Sequence, residues 1–206
     1  MLELSELNST FRFLPPMDFD GCTPWLTLMG FWNTEEVRHA EGVARWSVKI
    51  ATELGWSALQ CEELRQAALL HDIGKMALPQ SIVFKPGQLT TEETRMLQQH
   101  TLFGMQVLGC VQNPVFAMAA QVAMTHHERF DGAGYPLGVS GKNIPLAGRI
   151  VAVADVFDAL TRTRVYKEAW SAKDAIEFIQ KESGKQFDPE VVQAFLKATV
   201  SEYPLA

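Results

Sequence analysis

Pro145–Thr161, PLAGRIVAVADVFDALT, is apolar on almost every side and sets a carboxylate, Asp155, between Ala154, Val156 and Phe157. Such a stretch reads as a central buried helix, although its middle, RIVAVADVF, also fits a buried strand. The flanking segments decide between the two. From Asn33 onward the apolar spacing is helical, and no alternating strand pattern or internal repeat accompanies it. The fold class is therefore all-α. A buried carboxylate is costly unless it is paired or bound to a metal, so Asp155 demands a partner.

Working outward, Asn33 with Glu36 three residues on opens a first helix that can run to Leu54, where Gly55 ends it. Ser57 with Gln60 opens a second through LRQAALLHD, stopped near Gly74, and Thr90 with Glu93 opens a third, TEETRMLQQHTLFGMQVL. A fourth, PVFAMAAQVAMTHH, starts at Pro114. Beyond the central helix two shorter ones are predicted, near Ser171–Lys181 and from Pro189 with Asp188 as cap. Residues 1–32 are aromatic and proline-rich without a sustained period, which predicts an arm packed on the domain or the remnant of an upstream module. The domain itself is assigned to residues 33–206.

With 206 residues, 47% of them hydrophobic, the chain can bury one good core. Its 18 basic against 24 acidic residues give a net charge of -6, which argues against a surface for duplex nucleic acid and leaves room for a local cationic pocket and a small anionic ligand. Cys22, Cys61 and Cys110 are odd in number and widely spaced, and read as reduced thiols serving as buried filler. No uncharged apolar run reaches about 18 residues, and the first ten residues are acidic where a signal peptide is basic. A cytoplasmic protein without membrane association is expected.

Two of the five histidines stand side by side in AMTHHERFDGAGYP, Ala123–Pro136. His39 lies on the first helix, one turn after Glu35 and on the same face. His71 and Asp72 sit where the second helix ends, His100 lies inside the third, and His126 and His127 close the fourth. Imidazoles and carboxylates contributed by several helices are the usual means by which a bundle builds a di-metal site.

Taken together, LLHDIGK, HHERFDGAGYP and VADVFDALTRTRVYK resemble the HD-GYP domain, a branch of the HD metal-dependent phosphohydrolases, over about Asn33 to Leu196 and including FKPGQLT, IPLAGRI and SGKQFDPEVV. The resemblance implies an HD-domain helical bundle with a buried multinuclear metal site. Its implied ligands are His39, His71, Asp72, His100, His126, His127 and Asp155, with Asp72 bridging two ions and Glu35 serving a third. A hard nitrogen and oxygen shell suits two or three divalent ions, iron or manganese, better than a structural zinc. Lys75, Arg164 and Lys167 match positions that grip substrate phosphates, with Asp72 and Lys75 as the catalytic pair. Asp131, Gly132, Gly134, Tyr135 and Pro136 form the GYP loop, implicated in contacts with partners such as diguanylate cyclase (GGDEF) domains; a homodimer is left open. Gly42, Gln80 and Val165 depart from the usual pattern, Gly42 standing where an arginine commonly follows the first histidine by three.

The implied activity is hydrolysis of cyclic di-GMP to pGpG, and on to GMP, by a hydroxide shared between two cations about 3.5 to 4 Å apart. Two alternatives stand beside it: a phosphohydrolase of another cyclic or polyphosphorylated nucleotide, and a non-hydrolytic dinucleotide receptor or adaptor that signals through the GYP loop.

Overall fold

Helix starts follow local side-chain chemistry. In the computed structural model, which describes residues 22–162, 169–200, 202 and 203, the chain forms α1 (Thr23–Trp32), α2 (Thr34–Glu53), α3 (Ala58–Leu69), α4 (Gln80–Val83), α5 (Thr91–Gln98), α6 (His100–Gly109), α7 (Pro114–Thr125), α8 (Leu146–Thr161), α9 (Ala172–Lys181) and α10 (Pro189–Val200), with 3-10 turns at Ile73–Ala77 and Gly141–Asn143. Ser57 with Gln60 and Thr90 with Glu93 both close reciprocal capping boxes. Asn33 caps α2 differently: its side chain accepts from the Glu35 amide, while Glu36 turns away to pair with Lys75. Asp188 accepts from the Glu190 amide at 2.8 Å and is paired with Arg149, which fastens α10 to α8.

Three expectations are corrected. The predicted third helix is two, α5 and α6, broken at Gln99, so His100 opens a helix instead of lying inside one. Residues 23–32, expected to be irregular, form α1, with Thr23 and Pro24 opening it as a helix start should. Met29 of α1 and the adjoining Cys22 are buried in the same core as the rest of the chain. Cys110 is exposed, whereas Cys22 and Cys61 are buried as expected. No strand occurs among the described residues.

Helix α8 settles the reading of its sequence. It packs against α2, α7, α9 and α10, burying Ile150, Val151, Val153, Ala154 and Phe157. Trp46 of α2, Phe157 of α8 and Phe195 of α10 meet edge to face at centroid distances of 4.7, 5.9 and 5.0 Å, each nearly free of solvent. A fully buried aromatic of this kind contributes about 1.5–3 kcal/mol through burial alone. This aromatic layer locks α2 to α8. Asp155 and Asp158 of α8, with Arg162 capping its C-terminal end, line the side that faces the start of α2.

Candidate metal centre

Helix α3 ends at Leu69, and the turn that follows carries His71 and Asp72 before the 3-10 turn begins. Asp72 occupies the cap position of that turn without a capping bond, so its carboxylate is free to face the interior. The turn presses on the start of α6. A Cβ on Gly74 would lie 2.0 Å from the His100 carbonyl oxygen and 2.5 Å from the Gly104 nitrogen, so only glycine lets the two backbones approach. That contact sets Asp72 against His100. Helix α7 then delivers His126 and His127 at its C-terminal end, and α2 and α8 supply His39 and Asp155.

The side chains converge. Asp72, 5% exposed, places Oδ1 3.2 Å from His100 Nε2 and 3.7 Å from His126 Nε2, and Oδ2 3.2 Å from His71 Nε2 and 2.6 Å from Lys75 Nζ. His39 Nε2 lies 3.0 Å from Asp155 Oδ1. Ligand atoms within 4.8 Å of one another form three groups: Asp72 with His100, His126 and His127; His39 with His71 and Asp72; and His71 with His126 and Asp155. Asp72 belongs to the first two of these. All the predicted ligands except Glu35 are brought together.

The ring orientations fit a cation. Nδ1–H of His71 donates to the Ala68 carbonyl at 2.8 Å, that of His100 to Leu97 at 2.7 Å, and that of His126 to Val122 and Ala123 at 3.0 and 3.1 Å. Those bonds fix the tautomer and leave each Nε2 lone pair pointing inward. His100 Nε2 and His126 Nε2 face each other at 3.5 Å, and His71 Nε2 and Asp72 Oδ1, though wholly buried, make no hydrogen bond. Opposed lone pairs and orphaned buried acceptors are unfavourable by themselves and suit shared divalent cations.

Electrostatics divide the histidines into two classes. Burial, aided by the neighbouring charge of His126, pushes His100 down to about 4 against the pull of Asp72, and burial with His126 also holds His127 well below its ordinary value. Burial opposes charge on His39 as well, but hydrogen bonds to Asp155 and Asp158 overcome it and push its pKa up to about 9. Despite burial, Lys75 and His71 hold Asp72 well below the carboxylate range, while Asp72 and Glu36 in turn raise Lys75.

These shifts predict how the metal-free protein responds to pH. His39 has a folded-state pKa above the unfolded 6.5, so its contribution is complete below about 6.5 and disappears as pH rises through about 9. His100 has a folded-state value below 6.5, so stability is lost as pH falls from 6.5 through about 4. Melts of metal-free protein from pH 5 to 9.5 are expected to peak near pH 6.5. A melting temperature still climbing at pH 9 would contradict these assignments.

Other predicted residues are placed as follows. Glu35 is 56% exposed at its side chain and pairs with Arg38, away from the cluster. Lys75 is no solvated surface lysine: it bridges Asp72 and Glu36, the latter at 3.0 Å. Arg164 and Lys167 lie outside the described residues. In the GYP loop Gly132 has φ +84, but Gly134 is required for close approach instead, since its Cβ would meet the Arg129 nitrogen at 2.3 Å. Asp131 accepts from the Ala133 amide and pairs with Arg129. Tyr135 stacks on His127 at 4.9 Å, and a cis peptide bond joins Tyr135 to Pro136. Burial pushes the Tyr135 hydroxyl up, so it stays neutral.

Sequence reasoning missed three residues here. Glu128, buried, accepts from the Leu137 and Gly138 amides at 2.6 and 3.2 Å and so ties the loop to the histidine pair. Glu36 holds Lys75, and Asp158 holds His39. A buried-side position for Asp158 was readable from its i+3 spacing to Asp155.

A family model for the HD domain matches residues 28–191. The chain belongs to the HD-GYP branch of that family. This HD-GYP chain is 45% identical over 170 residues to a cyclic di-GMP phosphodiesterase of Thermotoga maritima, covering 82% of the chain and 46% of the relative. It is 37% identical over 165 residues to the 3'3'-cGAMP-specific phosphodiesterase 2 of Vibrio cholerae, covering 80% of the chain and 32% of the relative. The HD-GYP chain thus spans less than half the length of these curated relatives. Among solved structures, a cyclic GMP-AMP specific phosphodiesterase of Vibrio cholerae shares the fold with a TM-score of 0.62 at 23% identity, covering 81% of this chain and 44% of that one. No described helix is long and apolar enough to cross a membrane.

Proposed function

We propose that this HD-GYP domain is a metal-dependent phosphodiesterase that opens a cyclic dinucleotide, cyclic di-GMP in the first instance, to the linear pGpG. The observation that carries this reading is the convergence of inward Nε2 lone pairs on one carboxylate, Asp72, common to two ligand groups. When bound, divalent cations there supply Lewis-acid charge that activates a water and offsets charge on a phosphate.

The chain's own residues divide the remaining tasks. His100, His126 and His127 with Asp72 would hold one ion, and His39, His71, Asp72 and Asp155 the other. Both shells are nitrogen and oxygen only, which favours iron or manganese. Lys75 is raised by Asp72 and Glu36, so it stays protonated at neutral pH and serves as a cationic anchor for a phosphate oxygen, not as a proton donor. Arg164 and Lys167 are assigned the second phosphate. The GYP loop, with Leu137 exposed at its exit, is the surface assigned to partners such as diguanylate cyclase domains.

Two ions, not three, are assigned because Glu35 faces solvent and Arg38. Glu35→Gln is accordingly expected to leave the metal count unchanged by elemental analysis; loss of one ion would restore the three-metal reading.

A second reading, specificity for 3'3'-cGAMP, is supported by the name of the Vibrio cholerae relative. A panel of cyclic di-GMP, 3'3'-cGAMP and cyclic di-AMP, incubated with manganese-loaded or ferrous protein under reducing conditions, ranks the substrates by identified product. Cyclic di-GMP is expected to be cleaved fastest. Tight binding of a dinucleotide with no product from any of them would favour the receptor reading.

A further inference from the structure

Just behind His39 the structure holds an arrangement that the ligand set does not use. His39 Nδ1 donates to Asp158 Oδ2 at 2.7 Å, on the side of the ring opposite Asp155. The same Asp158 carboxylate receives a two-armed guanidinium: Arg162 Nε lies 2.8 Å from Oδ2 and Arg162 Nη2 3.0 Å from Oδ1. Arg162 Nη2 also donates to the Arg38 carbonyl at 2.7 Å, which carries the bond across from α8 to α2.

Space for this comes from one residue. A Cβ at Gly42, one turn after His39 on α2, would stand 1.8 Å from Asp158 Oδ1 and 2.8 Å from Arg162 Nη2. Any larger residue displaces the carboxylate or the guanidinium, so Gly42, Asp158 and Arg162 fit only as a set. An i,i+4 ion pair on a helix surface is worth little, about 0.3–0.5 kcal/mol. This pair differs in three ways: Asp158 is buried, the fork is bidentate, and the cation is tied to the backbone of the helix that bears His39.

We infer that Arg162, seated over Gly42, is a positioning residue that fixes Asp158 so that the carboxylate holds the His39 ring with Nδ1 protonated and Nε2 turned to the metal centre. The inference rests on the metal-site reading above. A carboxylate behind a ligating histidine sets its tautomer and orientation, and losing such a partner typically lowers metal affinity about 10–100-fold. Arg162 acts one step further out, through Asp158. An effect near the lower end, about tenfold, follows.

The test is a calorimetric titration of the metal-free chain with Mn2+, in wild type, Arg162→Ala, Arg162→Lys and Gly42→Ala, with melting curves of the metal-free proteins to establish folding. Arg162→Ala is expected to weaken the His39 ion about tenfold while the other ion keeps its affinity and the stoichiometry at saturation is unchanged. Arg162→Lys, which offers one arm instead of two, should lose a smaller factor, and Gly42→Ala should reproduce the loss by pushing Asp158 off its seat. Millimolar guanidinium ion, too dilute to denature, should return the affinity of Arg162→Ala towards wild type, a recovery that a purely structural role would not show. Wild-type Mn2+ affinity in folded Arg162→Ala overturns the inference and leaves the metal site standing. Should Arg162→Ala not fold, wild-type affinity in Arg162→Lys overturns it equally. Absence of Mn2+ binding by the wild type would instead remove the metal-site reading on which the inference rests.

Discussion

Replacing Asp72 by alanine is expected to abolish phosphodiester hydrolysis and to strip the protein of most of its metal. Asp72 is the carboxylate common to two ligand groups, touching His71, His100, His126 and Lys75 from a position 5% exposed. Among the described residues the nearby carboxylates are already engaged, Asp155 with His39 and Glu36 with Lys75. The substitution also leaves the Lys75 ammonium with one carboxylate instead of two. Removing one partner of a buried charged cluster is generally destabilising by about 3–5 kcal/mol, so a melt belongs beside the assay. Asp72→Asn keeps the shape and removes the charge, and should lose metal almost as completely. Turnover and elemental content measured on the same preparation check the expectation; near wild-type hydrolysis at matched metal content would contradict it.

The second large effect is expected from Gly74→Ala, a single methyl placed outside the ligand set. Its Cβ would meet the His100 carbonyl and the Gly104 nitrogen, both backbone, neither able to swing aside. The 3-10 turn must then move away from α6, and Asp72 moves with it, away from His100. Overpacking costs about 1–3 kcal/mol and occasionally more; at about 2–4 °C per kcal/mol for a chain of this size, the melting temperature should fall by roughly 2–12 °C. Metal affinity should fall with it. Gly109→Ala, where an added Cβ meets nothing within 4 Å, is the matched control and should melt close to wild type. Equal melting temperatures for the two variants would show that the turn and α6 tolerate separation.

Much of this site was legible before any coordinates. Helices α2, α3 and α7 start at side-chain caps, Asn33, Ser57 and Asn113, and the histidines fall at helix ends or on one helical face, so the cluster could be placed from spacing and resemblance together. What escaped has physical causes. The apolar period continues smoothly across Gln99, so nothing in the residue pattern marks the break that makes His100 the first residue of α6. Glu35 has the spacing to share an ion with His39, but it sits in the first exposed turn of α2, where Arg38 competes for it and the Asn33 side chain holds its amide. Helix α1 hides because its apolar residues are too evenly distributed to show a face. Arg162 stands four residues after Asp158, a spacing any helix offers; what gives it a role is its bond to the Arg38 carbonyl, between residues more than a hundred positions apart in sequence, which no local rule reports.

Protein purified without oxygen, assayed for metal and for cyclic di-GMP hydrolysis before and after chelation, tests the central claim that the buried histidine and aspartate cluster is the metal centre of a phosphodiesterase. Two divalent ions per chain are expected, with hydrolysis vanishing as both are removed and returning when Mn2+ or Fe2+ is restored. Hydrolysis that persists in fully metal-free protein would contradict the account.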